Sequence, residues 1–374
     1  MAAEFKIWPS LASRHGLLHR YVFGAMAKCP HHPLLLPILM NPLYHQAPRT
    51  AGQGLLCAAL GIGTDIGGSV RVPAAFCGVY GLRTTALRNP YKGVCIPGRG
   101  QESIHCVISP LANSVADLDL FQGAVLDREP WEEETSLVPL PWKRIGPFQP
   151  AQITLGVIWD DECVPPHPPV TRALKYAVSK LRQSGTKVVD FAPYNHQEGW
   201  DIVSALYFPD GARTQKDILA SGGEPVAFLT EWAFSVSNIN PISVTENWEL
   251  NIRRDAYRET YHHIMKDRGV DFILCPAYVG AAATLGGGQY VHYTSVWNVL
   301  DMPSITFPTG LKVDPVIDTV CEYQFRSAVD ERESKKYTPE TYVAAPIALQ
   351  LVGKHFRDEE TVAAADLVSR IIQE

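Results

Sequence analysis

The clearest pattern of apolar and polar positions lies in residues 153–191. The run "ITLGVIW" is typical of a buried strand, and "KVVDF" predicts a second strand after Gly185, a residue that commonly ends a helix. Between them apolar residues recur at helical spacing, at Val170, Leu174, Ala177, Val178 and Leu181. The order strand, helix, strand predicts a parallel pair.

Two further segments repeat the alternation. Apolar positions between Leu250 and Met265 share a helical face, Gly269 follows, and "VDFILCPA" reads as a buried strand. Near the C-terminus "PIALQLVG" predicts a strand and residues 358–373 a helix. We therefore expect an α/β protein with a large mixed, mostly parallel sheet surrounded by helices. The charged segment "DERESKK", residues 330–336, is expected to be a solvated loop.

The first 50 residues differ from the rest of the chain. Their apolar positions follow neither the helical nor the strand period, and prolines recur at Pro30, Pro33, Pro37, Pro42 and Pro48. We divide the chain into an atypical segment, residues 1–50, and one domain, residues 51–374.

Composition and charge narrow the function. The net charge of −6 comes from 39 acidic and 33 basic residues without a basic block, which argues against a nucleic-acid partner. The eight cysteines contain no C-x-x-C pair, so no metal site is expected. We expect the cysteines to be free thiols in a reducing compartment. The apolar run "PLLLPILM" is too short to span a membrane. We expect a soluble, cytoplasmic protein.

The stretch "TDIGGSVR" is the strongest chemical signal. Acyl transfer through a serine ester needs backbone N–H groups aimed at the oxygen where negative charge collects, and glycines permit such a loop. The residues concerned are Ile66, Gly67, Gly68 and Ser69. The alternative is a tight turn in which Ser69 is only a cap. Asp65 and Arg71 are expected to form a partly buried ion pair that supports the loop.

Residues 63–85, "GTDIGGSVRVPAAFCGVYGLRTT", strongly resemble the nucleophile segment of the amidase signature family of serine hydrolases. The resemblance continues in "ISPLANSVADL", "YTSVWNVLDMPSITFP" and "YVAAPIALQLVG", and is greatest to the fungal acetamidase-type branch. It implies hydrolysis of a small carboxylic amide to carboxylate and ammonia, without metal or organic cofactor. It also implies that Ser69 is the acyl-forming serine and that residues 66–69 hold the oxyanion.

The chain departs from the family pattern upstream of Ser69. The family's triad also contains a relay serine and a lysine, but Arg49 stands where the relay serine is expected, and Thr50 is the alternative relay. Lys6 and Lys28 precede Ser69 without resembling the family's lysine motif. Two explanations are open. The chain is an impaired, amidase-like pseudo-enzyme or binding protein, or its first 50 residues come from a truncated or wrongly joined coding sequence and the working protein has a longer N-terminus. We favour the second.

The sequence leaves two properties open. Tyr290, Tyr293 and Trp297 either line a substrate pocket or pack in the core. Nothing in the chain indicates whether the protein forms a homo-oligomer.

Overall fold

The structure is a computed structural model that describes residues 60–94, 96–238 and 240–374. The whole atypical segment 1–50, with Arg49, Thr50, Lys6 and Lys28, therefore lies outside the described residues, as do residues 51–59. The incomplete N-terminal pattern and the relay role of Thr50 stay predictions.

The described residues form eight strands and ten α-helices. The strands are β1 (Leu60–Asp65), β2 (Tyr80–Arg83), β3 (Val107–Ala112), β4 (Thr154–Val157), β5 (Lys187–Asp190), β6 (Phe272–Pro276), β7 (Ser304–Lys312) and β8 (Pro346–Val352). The helices are α1 (Arg71–Cys77), α2 (Val115–Leu126), α3 (Pro168–Gln183), α4 (His196–Tyr207), α5 (Arg213–Gly222), α6 (Phe228–Ser235), α7 (Val244–Asp267), α8 (His292–Val299), α9 (Ala328–Lys335) and α10 (Asp358–Gln373).

The strands form one mixed sheet in the order β1-β3-β2-β7-β8-β6-β4-β5, which confirms the α/β class. The expectation of a mostly parallel sheet is wrong for the described strands, because five of the seven neighbouring pairs are antiparallel and two are parallel. A helix between two strands makes them parallel only when the strands are also neighbours in the sheet and the chain crosses over. β4 and β5 meet this condition, whereas β7 and β8 are joined through α9 and run antiparallel.

The unit of β4, α3 and β5 forms as its sequence pattern predicts. Pro168 and Pro169 open α3, where a missing N–H costs nothing, and six apolar residues of the helix are buried in the core. Gly185 follows the helix with φ +88°, a conformation that glycine adopts without strain. β4 and β5 are paired in parallel, which confirms the predicted βαβ unit.

The sheet is covered by helices on both faces. Phe272 and Leu274 of β6 pack into a core with α2, α3 and α10, while Ile273 and Cys275, which alternate with them, pack into a core with α4, α7 and α8. This alternation explains why β6 reads as a continuous apolar run. No helix among the described residues is long and apolar enough to span a membrane.

The charged segment 330–336 is not the solvated loop that its composition predicts, because residues 328–335 form α9. Ser327 caps the helix by accepting the N–H of Asp330, and Asp330 and Glu333 are buried. Glu333 is within 2.9 Å of the Arg332 guanidinium and 2.8 Å of the Lys336 ammonium. Asp330 accepts hydrogen bonds from the Tyr323 hydroxyl and the Arg326 N–H, whereas Glu333 has its cations. These partners allow both carboxylates to be buried, and the composition of the segment does not reveal them.

Candidate active site

Ser69 lies in the turn between β1 and α1, at one edge of the sheet. The residue is partly exposed and lines a cavity of about 610 Å³, together with Ile66, Gly67 and Gly68. Its hydroxyl has no hydrogen-bond partner within the described part of the chain. The predicted nucleophile therefore faces a space large enough for an organic substrate.

Both glycines before Ser69 are required by the turn. A Cβ atom on Gly67 would overlap the Tyr207 hydroxyl, and one on Gly68 would lie 2.7 Å from the Cβ of Thr294. Gly68 also has φ +125°, which is strained for any residue with a side chain. The glycines let the backbone pass directly against two other elements.

The predicted ion pair between Asp65 and Arg71 is present and fully buried. Arg71 donates Nε to one carboxylate oxygen and Nη2 to the other, both at 3.0 Å. Burial by itself would raise the pKa of Asp65, but the charge and hydrogen bonds of Arg71 and the amide of Asn298 outweigh it and lower the pKa to about 2. Asp65 is therefore ionised at neutral pH.

Distant segments hold the other side of the guanidinium. Arg71 Nη1 donates to the carbonyl of Thr294 at 2.9 Å and to Gln350 Oε1 at 3.3 Å, and Nη2 donates to Asn298 Oδ1 at 2.6 Å. Thr294 and Asn298 lie one turn apart on α8, and Gln350 is in β8. The serine turn is thereby fixed to the helix and strand behind it.

Each of four successive backbone carbonyls in the turn accepts a separate hydrogen bond. The donors are Asn298 Nδ2 to Asp65 at 3.4 Å, Tyr207 OH to Ile66 at 3.1 Å, Thr294 Oγ1 to Gly67 at 2.7 Å and Val72 N–H to Gly68 at 2.8 Å. In a trans peptide the N–H points away from the carbonyl of the same unit. Fixing the carbonyls therefore also fixes the directions of the next N–H groups.

Gly68 differs from the other three candidate oxyanion donors. Its N–H donates to Asp65 Oδ1 at 2.8 Å, so it is engaged in the turn itself. The N–H groups of Ile66, Gly67 and Ser69 have no acceptor among the residues that the structure describes. The structure thus leaves three of the four expected amides free to bind an oxyanion.

Sequence reasoning missed the residues that hold this turn. Gln350 interrupts the apolar segment "PIALQLVG", and that interruption was the available signal, whereas Thr294 and Asn298 lie in "YTSVWNVLD" together with other polar residues. Tyr207, at the end of α4, has no such signal.

The cavity wall is mainly apolar and aromatic, with Phe76, Trp200, Tyr207, Trp232 and Tyr278 among its lining residues. The aromatic residues singled out in the sequence lie elsewhere. Tyr290, Tyr293 and Trp297 are each at most 2% exposed, pack in hydrophobic clusters and do not line this cavity. For these three the core-packing alternative is correct.

Comparisons with known proteins identify the family. The family model described as Amidase matches residues 53–362. The chain is 33% identical to an acetamidase of Emericella nidulans, over 85% of this chain and 60% of that protein. An acetamidase of Aspergillus oryzae is also 33% identical, over 86% of this chain and 62% of its own length.

A solved structure titled fatty acid amide hydrolase superposes with a TM-score of 0.84 at 37% identity, over 87% of this chain and 58% of that one. The chain thus spans about three fifths of the length of the relatives that it matches. The match of the family model covers most of the chain and includes the turn built around Ser69. The chain belongs to the amidase signature family.

Proposed function

We propose that the protein hydrolyses a carboxylic amide to a carboxylate and ammonia or an amine, through an ester formed on Ser69. The observation that carries the proposal is the position of Ser69 at the cavity, beside peptide units whose carbonyls are all fixed from behind. Fixed N–H groups stabilise an oxyanion without reorganising during the reaction.

The chain's residues act at defined steps. Ser69 Oγ attacks the amide carbon, and the developing negative charge on the carbonyl oxygen is held by the N–H groups of Ile66, Gly67 and Ser69. The hydroxyl proton passes to a base and then to the leaving nitrogen as the C–N bond breaks. Water then attacks the ester, releases the carboxylate and restores the hydroxyl. The described residues place no base at hydrogen-bond distance from Ser69, and Thr50 stays the predicted relay.

The relatives favour this function over the alternative from the sequence, an impaired amidase-like binding protein. Both fungal relatives are named acetamidases, and the superposed structure is named as an amide hydrolase. Nothing in the comparisons supports the loss of catalysis.

Purified full-length protein should release ammonia from an aliphatic primary amide, and Ser69→Ala should abolish the release. Ser179→Ala is the matched control, because Ser179 is an exposed serine of α3 outside the cavity. A fluorophosphonate should label the peptide that contains Ser69 in the wild type and in Ser179→Ala. Undiminished turnover in Ser69→Ala would reject the assignment.

The cavity favours a substrate with a larger apolar group than the small amide expected from the sequence. Its volume of about 610 Å³ is lined mainly by carbon, and acetamide would fill little of it. A solved structure that superposes with a TM-score of 0.84 is titled fatty acid amide hydrolase. We propose that an alkyl chain of the substrate lies against Trp200, Tyr278 and Phe76.

A series of linear primary amides from acetamide to decanamide tests this proposal. Burying one CH₂ group contributes about 0.8 kcal/mol, so kcat/KM should rise up to about fourfold per added carbon until the cavity is full. Trp200→Ala should flatten the rise while leaving the acetamide rate within about threefold. A series in which acetamide is the best substrate would instead support the small-amide prediction, and would leave the role of Ser69 intact.

A further inference from the structure

A second group of reactive side chains lies apart from the serine turn. Asp161, Cys163 and His292 each present one potential ligand atom, and these atoms lie within 4.8 Å of one another. Asp161 and Cys163 are in the loop after β4, and His292 is the first residue of α8. Cys163 and His292 also line a separate cavity of about 380 Å³.

His292 is a buried imidazole at the start of α8. It is 7% exposed, and its Nδ1 has no partner among the described residues. The ring lies between Trp200 and Tyr290, at centroid distances of 4.4 Å and 4.3 Å. The neutral form of an imidazole is the one that binds metal ions.

Asp161 retains one acceptor position. Its Oδ1 accepts the N–H groups of Cys163 at 3.0 Å and Val164 at 2.9 Å, and its Oδ2 accepts the Tyr290 hydroxyl at 2.5 Å. A carboxylate has about four acceptor positions, so one remains on Oδ2. No arginine or lysine pairs with Asp161 within the part of the chain that the structure describes. A cation would compensate this fully buried carboxylate.

Two arginines that line the cavity, Arg326 and Arg332, are paired with carboxylates other than Asp161. Arg326 pairs with Asp160 at 2.7 Å, and Arg332 pairs with Glu333 at 2.9 Å. Each guanidinium therefore has a neighbouring carboxylate that offsets part of its charge, while Asp161 has no such cation among the described residues.

We propose that Asp161, Cys163 and His292 form a binding site for a zinc ion. One thiolate, one imidazole and one carboxylate are the donor types that zinc takes, and a site with three protein ligands leaves the fourth position for water. Binding displaces the thiol proton of Cys163 to solvent, because the thiolate is the ligand. The sequence expectation of no metal site rested on the missing C-x-x-C pair, and these ligands come from distant segments.

Zinc at this place would join the loop after β4 to the first turn of α8. The same helix carries Thr294 and Asn298, which hold the serine turn. The ion would therefore stabilise the support of Ser69 without contacting the substrate. The proposal is independent of amide hydrolysis, because binding is measured without turnover.

Cobalt(II) is the spectroscopic probe for this site. One equivalent of cobalt(II) added to the full-length reduced protein should produce an intense near-ultraviolet thiolate-to-cobalt charge-transfer band. Added zinc should displace the cobalt ion and remove the band. Cys163→Ser should remove the band and weaken zinc binding at least about tenfold, as measured by competition with a chromophoric chelator. Cys321→Ser, which alters an exposed cysteine, is the matched control and should keep both.

Alkylation tests the proposal on the wild-type protein alone, so its result cannot be affected by the misfolding of a variant. Zinc should protect the peptide containing Cys163 from iodoacetamide at least about tenfold, while the peptide containing Cys321 stays reactive. Absence of a charge-transfer band in the wild type, a band that persists in Cys163→Ser, or equal alkylation of Cys163 with and without zinc would each overturn the proposal.

Discussion

Removing one hydroxyl group tests whether the fixed carbonyls matter for catalysis. In Tyr207→Phe the ring remains and the hydrogen bond to the carbonyl of Ile66, 3.1 Å long, is lost. The N–H of Gly67 belongs to the same peptide unit, so its direction is no longer fixed from that side. Burial raises the pKa of Tyr207 far above its ordinary value, so the hydroxyl is a donor at any working pH in the wild type.

The expected fall in kcat depends on how well the Gly67 N–H still binds the oxyanion in Tyr207→Phe. Complete loss of one oxyanion donor costs about 10²–10³ in kcat, which sets the ceiling. The Gly67 N–H persists in Tyr207→Phe but is less well oriented, so we expect kcat to fall by about 10- to 100-fold, or about 1.4–2.8 kcal/mol. KM should change less than about threefold, because the oxyanion forms only after the substrate has bound.

Tyr257→Phe is the matched control for this variant. Its hydroxyl also donates to a backbone carbonyl, that of Tyr194, at 3.0 Å, and Tyr257 does not line the substrate cavity. Both variants should lower the free energy of unfolding by about 1 kcal/mol in urea denaturation. Steady-state kinetics on one amide then separate stability from catalysis.

The reasoning fails if Tyr207→Phe and Tyr257→Phe have the same kcat. A rise in KM with an unchanged kcat would also contradict it, since that pattern would make Tyr207 a substrate contact rather than a positioning residue.

Three further predictions concern the same turn. Asp65→Asn leaves Arg71 buried without its counter-charge, so urea denaturation should show a loss of about 3–5 kcal/mol. Gly68 has φ +125° and lies against Thr294, so Gly68→Ala should lower the free energy of unfolding by about 2 kcal/mol or more and reduce kcat. Gly185 has φ +88° and open space around it, so Gly185→Asn should lower the free energy of unfolding by less than about 1 kcal/mol in the same urea denaturation. Because the pKa of Asp65 is lowered from 3.8 to about 2, its ionised form stabilises the fold above about pH 4, and this contribution should fall away between pH 4 and pH 2. The stability difference between wild type and Asp65→Asn should narrow over that range, and a constant difference would contradict the assignment.

Local periodicity was sufficient for three of the ten described α-helices, α3, α7 and α10, and for four of the eight described strands, β4, β5, β6 and β8. The helical stripe of α3, the glycine after it and the apolar run of β6 are all local signals, and each element formed where it was expected. Strand direction is not local. β8 pairs antiparallel with β6 and β7 because of how the chain returns to the sheet, and no residue within "PIALQLVG" encodes that choice.

The candidate site likewise contains contacts that the local sequence predicts and contacts that it does not. Asp65 and Arg71 are six residues apart, and their pairing could be predicted from charge and spacing. The capture of the Gly68 N–H by Asp65 depends on backbone angles, which a sequence does not state. Thr294 and Tyr207 reach the turn from 227 and 141 residues away, so a single sequence could not place them there.

The hydrogen bond from Arg71 to Gln350 joins residues 279 positions apart. During synthesis Ser69 therefore leaves the ribosome long before β8 exists to complete its surroundings, and under the proposed function the nascent chain should not hydrolyse an amide until β8 has been made. After dilution from denaturant, activity should likewise return together with the slowest long-range step of refolding. The rate of hydrolysis would then report when β8 has joined the sheet.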